Sequence, residues 1–297
     1  MQAGIRARQG LIDELIVYMA GARRYQEADG SGSPARVLQL GFWGNRAGWR
    51  EDVRRVSVDG SAEPVERSLH HAGRTDRITF ESATSVGTGE GDGLMPSAPW
   101  LLDIGQWGAE AQWSAYVLSA PRPQAERVQY AGEDCVLLRW EPAAGGEARA
   151  WIAPAKSFLV VRRESRTPAD RDGYKERIYN VVLDAVAEPT KGVWLPWRYR
   201  MLNGWVRSDN TIDWRTMDRI EATHIRVNPN QEGIAFQYGA LPGARVYHTG
   251  VEGNVPVYGG DPTPLLAALQ VPWDPVAQIA PCERIEVIAE PGSRGNW

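Results

Sequence analysis

The segment Gly192-Val193-Trp194-Leu195-Pro196-Trp197-Arg198-Tyr199-Arg200-Met201 decides how this chain folds. Successive side chains of a strand point to opposite faces of its sheet. Val193, Leu195, Trp197, Tyr199 and Met201 therefore share one face, while Arg198 and Arg200 take the other. The first face is oily and aromatic, and the second is wet. Pro196 has no backbone donor, so an edge, a bulge or a bend is expected there. Residues 151–154 leading into 158–164, and residues 174–186, carry comparable apolar runs. The three segments are expected to lie side by side in one sheet.

Working outward, further strands are expected at residues 36–43, 49–58, 74–82, 112–119, 127–130, 134–140, 147–152 and 218–227. Turn residues stand between them, as at Gly44-Asn45, Asp59-Gly60, Gly145-Gly146 and Asp172-Gly173. Residues 84–93, with their glycines and two acids, read as a loop. Residues 4–25 read as a helix. Leu11, Ile12, Leu15, Ile16 and Met19 recur at three- and four-residue spacing and make one apolar stripe. A short second helix is expected over residues 96–107.

A long antiparallel sheet with one oily face must bury that face. The expected architecture is mainly β: a large curved sheet forming a half-open barrel, covered by the N-terminal amphipathic helix and the short second helix. Residues 1–250 form this domain. Residues 251–297, rich in Pro and Gly with a helical candidate at 264–270, read as an appendage.

Composition narrows the function. A net charge of −4, with no long run of one sign, disfavours nucleic-acid binding, which needs concentrated Lys and Arg. No stretch of about 20 apolar residues is present, so no transmembrane helix is expected. No signal peptide is visible, because Asp13 and Glu14 interrupt the apolar part of the first twenty residues. Thirteen Trp against four Phe suits the core and edges of a large sheet, an aromatic-lined cavity or a surface that stacks on sugars. Cys135 and Cys282 make no disulfide framework and are expected as free, partly buried thiols.

Catalytic signals are missing. His70, His71, His224 and His248 lack zinc-ligand spacing. Nucleophile-elbow, phosphate-loop and dinucleotide patterns are absent. Acidic pairs such as Glu51-Asp52 read as surface turns. Arg162, Arg163, Arg166, Arg171, Lys175 and Arg177 interleave with acids, which suits cross-strand ion pairing on a solvent face. No catalytic residue, metal or cofactor is expected. The candidate ligand residues are Leu15, Ile16 and Met19 from the helix, Trp100 and Leu101 from the lid, and Leu195, Trp197, Tyr199 and Met201 from the sheet.

The order of several motifs resembles the LolA/LolB-like lipoprotein-carrier superfamily and is similar to the N-terminal domain of RseB-type envelope-stress sensors. The carrying residues begin with Trp151-Ile152-Ala153-Pro154 and Leu159-Val160-Val161-Arg162-Arg163-Glu164. Glu188 and Gly192 through Pro196 follow, then Ile225-Arg226-Val227-Asn228, Ile234-Ala235-Phe236 and Leu241 through Tyr247. The resemblance spans residues 4–248. It implies a half-closed barrel with helices over a hydrophobic cavity, an acyl chain or other hydrophobic small molecule as ligand, and a periplasmic or otherwise extracytoplasmic setting. Arg50 is the candidate for the carriers' lid-latching arginine. A sensor or scaffold with a self-filled groove and a protein partner, and a carbohydrate binder using exposed Trp, remain open alternatives.

Overall fold

The structure, a computed structural model, describes residues 1–25, 36–45, 48–56, 66–71, 74–82, 85–90, 117–118, 120–143, 145–229, 244–248 and 285–287. Among the described residues, helix α1 (Gln2–Gly10) precedes fifteen strands. The first group is β1 (Glu14–Tyr25), β2 (Arg36–Asn45), β3 (Gly48–Val56), β4 (Glu66–His71), β5 (Arg74–Ser82) and β6 (Ser85–Glu90). The second is β7 (Gln124–Tyr130), β8 (Glu133–Trp140), β9 (Glu147–Ala153), β10 (Leu159–Pro168), β11 (Tyr174–Thr190), β12 (Val193–Arg207) and β13 (Ile212–Val227). β14 (Ala244–His248) and β15 (Ile285–Val287) follow.

All lie in one sheet of order β14-β6-β5-β4-β3-β2-β1-β13-β12-β11-β10-β9-β8-β7, with β15 on β11. Each group is an antiparallel meander, and the pairing of β1 with β13 splices the two. The parallel pair is β14 with β6. The sheet does not close, which makes it a half-open barrel with the N-terminal helix packed on it.

The helix ends sooner than the sequence pattern suggests, and Leu15, Ile16 and Met19 belong to β1. Leu15, Val17 and Met19 join the main core cluster, whereas Ile16 and Tyr18 alternate with them and are also buried. A strand apolar on both faces reads as a continuous run, which spacing alone cannot separate from a helical stripe. Residues 85–90, expected as loop, form β6, and residues 117–118, expected within a strand, are helical. The expected helices at 96–107 and 264–270 and the turn at Asp59-Gly60 lie outside the described residues. So do Trp100, Leu101 and Cys282.

Pro196 behaves as its chemistry demands. It faces Val186 across a register shift in β11, and β12 begins to pair with β13 only at Arg198. Between β8 and β9, Gly146 has φ +90°, and a Cβ there would stand 2.0 Å from the Arg166 carbonyl oxygen. Only glycine serves at such a turn.

Two apolar clusters share the sheet. The broad one runs from Trp49 and Val53 of β3 through β2, β1, β13, β12, β11 and β10 to Cys135 of β8. The smaller one joins Ile5 of α1 and Val117 to Leu138, Trp140, Ala148, Ala150, Ile152 and Val160. On β9 and β10 the two alternate residue by residue: Ile152 and Val160 go to the small cluster, and Ala153, Leu159 and Val161 to the broad one. These strands are therefore apolar on both faces, and α1 covers the smaller one.

Candidate hydrophobic ligand face

The broad face is built around β12. Val193, Leu195, Trp197, Tyr199 and Met201 all join its cluster, at most 7% exposed. β1 adds Leu15, Val17 and Met19, β13 adds Ile220, Ala222 and Ile225, and β11 adds Val181, Leu183 and Ala185. Across β12 the arginines stay on the opposite face. The Arg200 guanidinium holds Asp184 bidentately, with Nε–Oδ2 at 2.9 Å and Nη2–Oδ1 at 2.8 Å. Arg198 reaches Glu221 at 3.9 Å.

Six of the expected ligand residues are thus gathered on one face: Leu15, Met19, Leu195, Trp197, Tyr199 and Met201. Ile16 is buried on the other side of β1. Arg50 lies on β3, opposite Leu69 of β4.

Polar groups interrupt this apolar surface at one end. Tyr199 is fully buried, and burial pushes its phenol well above the ordinary value, with Tyr179 and Asp218 adding to the shift. The Tyr179 hydroxyl lies 3.5 Å from the Met201 sulfur, and the Arg163 guanidinium sits 5.7 Å from the Tyr179 ring centroid. Nearby, Arg162 stacks 4.6 Å from the Trp151 ring and 5.7 Å from the Tyr130 ring. Sequence reading missed this aromatic–cationic end, although the adjacent Arg162-Arg163 inside an apolar strand was the visible signal.

Lys156 was missed as well. It ends the 3-10 turn Pro154–Lys156, is 4% exposed, and bridges Glu133 and Glu286. Its Nζ lies 4.3 Å from the Trp194 ring centroid. Much of the basic cluster expected on the solvent face is paired. Arg162 and Arg166 flank Glu164 at 3.2 and 3.0 Å, and Arg166 reaches Glu176 at 3.4 Å. Glu164 is buried, so its two arginines offset the cost of a buried carboxylate, whereas the more exposed Arg166–Glu176 pair adds little stability.

The aromatic residues bear on sugar stacking. Trp49, Trp140, Trp194 and Trp197 are buried, and Trp151, Trp205 and Trp214 are partly covered. None of these seven presents a fully exposed ring. Among the described residues no group of three His, Cys, Asp or Glu side chains converges to hold a metal ion, and no helix is long and apolar enough to cross a membrane.

No family model matches the chain, and no curated protein matches it by sequence. Among solved structures it is similar to one described as an outer membrane lipoprotein-sorting protein domain from Vibrio parahaemolyticus. That likeness has 12% identity over 79% of this chain and 95% of the other, with TM-score 0.43. A DUF1329 family protein from Desulfovibrio piger is similar at 12% identity, over 80% and 95% of the two chains, with TM-score 0.45. The Pseudomonas aeruginosa MucA/MucB complex is similar at 10% identity, over 74% and 92%, with TM-score 0.24.

Proposed function

We propose that this chain is a non-enzymatic, extracytoplasmic binding protein that holds a hydrophobic ligand, a lipid or lipoprotein acyl chain, on the broad apolar face of its open sheet. One observation carries the reading. Leu15, Met19, Leu195, Trp197, Tyr199 and Met201, from strands far apart in sequence, share a single apolar cluster on a sheet that does not close. An open barrel keeps a route to such a face, and a methylene chain gains about 0.8 kcal/mol per buried CH₂ there.

In the free chain these side chains close on one another. A ligand therefore enters only as the face parts, and the work of parting is subtracted from its affinity. That suits a carrier, which has to release what it binds. The aromatic–cationic end at Arg162, Trp151 and Tyr130 supplies donors for a polar head group.

The test is displacement of an apolar fluorescent probe by a long-chain fatty acid, with Trp197→Asp as the comparison. Probe binding in the parent and its loss in the variant are expected. A parent that binds no probe, purified without detergent and carrying no extractable lipid, ends the proposal. That outcome favours the second reading, a sensor or scaffold whose groove is filled by its own side chains, which the complete burial of Leu195 and Tyr199 supports.

A further inference from the structure

β11 is longer than the stretch over which it pairs with β10. The two pair from Arg162–Val182 to Pro168–Glu176, while Leu159 and Val160 of β10 pair with β9. Past Val182 the same edge of β11 is taken by another segment. β15 runs antiparallel there, with Ala185 opposite Val287, Val186 opposite Glu286 and Ala187 opposite Ile285. It continues the line of β10, in the space that β10 leaves as it turns toward β9.

This notch has three properties of a strand-docking site. Its floor is small and dry: Ala185, Val186 and Ala187 are at most 1% exposed, so any extended backbone of moderate side chains can lie along it. Among the described residues three of β15 pair with β11, and Val287 at its end is 69% exposed. And it is marked by charge. The buried Lys156 ammonium meets Glu286, the central residue of β15, and also Glu133 at 3.3 Å. Were Glu286 to leave, Glu133 would still balance Lys156. An emptied notch therefore strands no buried cation, which is the condition for exchange at low cost.

We propose that the Ala185–Ala187 edge of β11 binds an extended, acidic segment of a protein partner by strand addition, and that Ile285–Val287 occupies this edge in cis until the partner displaces it. The partner strand runs antiparallel to β11 and sets a Glu or Asp on Lys156. The notch borders the broad face, since Ala185, Val186 and Ala187 belong to its cluster, but strand addition requires no lipid there.

The experiment uses the full chain and a fluorescent peptide with the sequence of residues 280–290, its Cys282 replaced by Ser. Glu286→Arg in the protein weakens the cis strand without touching the notch, and Glu286→Gln is the milder second variant. Both variants are expected to bind the peptide about tenfold more tightly than the parent, since a cis competitor lowers apparent affinity by the fraction of sites it blocks. A peptide with Gln in place of its central Glu is expected to bind weakly, as is any peptide to the Lys156→Met protein. Equal peptide binding by parent and folded variants, or binding indifferent to the central Glu, overturns the proposal. Dimers of Glu286→Arg that exchange residues 285–287 between copies also overturn it, because the occupant would then be a second copy of this chain.

Discussion

Asn228 and Glu14 are bonded twice in opposite senses. The Glu14 N–H donates to Asn228 Oδ1 at 2.9 Å, and the Asn228 N–H donates to the Glu14 carbonyl at 2.9 Å. The same Oδ1 takes the Asp13 N–H at 2.8 Å, and Nδ2 donates to the Leu11 carbonyl at 2.8 Å. One side chain at the end of β13 thus gathers the link between α1 and β1. It fastens the splice between the two meanders.

Replacing Asn228 tests that splice. Its φ of 51° suits asparagine and glycine but not alanine. Asn228→Ala is expected to cost about 1–3 kcal/mol in urea unfolding, since solvent reaches these bonds. Asn228→Gly is expected to cost less, and the difference measures the backbone strain. Equal losses would show that the hydrogen bonds alone matter.

The seat of α1 depends on the absence of one methyl group. A Cβ on Gly4 would stand 2.1 Å from Cδ2 of Phe158. Gly4→Ala is expected to lift the helix off the small cluster, at about 1–3 kcal/mol. Faster hydrogen exchange at Ile5 and Arg8, with little change in β11 to β13, is the expected signature.

Cys135 is a free, buried thiol whose pKa is pushed up to about 11, first by burial and then by the charges of Glu133 and Asp134. At pH 8 it stays protonated and unreactive, because the thiolate is the nucleophile. Labelling of Cys135 by a thiol reagent is expected to be slow in the native chain and fast in urea. The raised value also has a stability consequence. Below its ordinary value of 9.0 both states keep the proton. Between there and about 11 the unfolded chain ionises while the native chain does not, so stability falls as pH rises. Cys135→Ala removes that share of the alkaline slope.

Asp213 works at the other end of the scale. Burial pushes its carboxyl up, but the Tyr174 hydroxyl at 2.7 Å and the nearby Arg215 and Arg207 outweigh it and hold it below the ordinary range. A depressed carboxyl stabilises the fold above its unfolded value and loses that contribution as pH falls through the folded one. Melting temperatures measured from pH 6 down to pH 2 are expected to fall less steeply for Asp213→Asn than for the parent. An unchanged slope would remove Asp213 from the acid response.

Much of this fold is legible in local chemistry. The alternation of Trp197, Tyr199 and Met201 against Arg198 and Arg200 is realised, because a half-wet strand writes its two faces into a period of two, whereas Trp194 joins the same cluster as Val193 and Leu195. Pro196 announces its own irregularity, because a missing donor is a local fact. Residues 14–25 escape such reading. Their two faces are both apolar, so no period distinguishes strand from helix, and only pairing with β13 and β2 settles it. The notch beside Ala185 and the meeting of Lys156 with Glu286 are equally silent in the sequence. Lys156 and Glu286 stand 130 positions apart, and β15 reaches β11 from the far end of the chain, so such encounters exist only in the folded sheet.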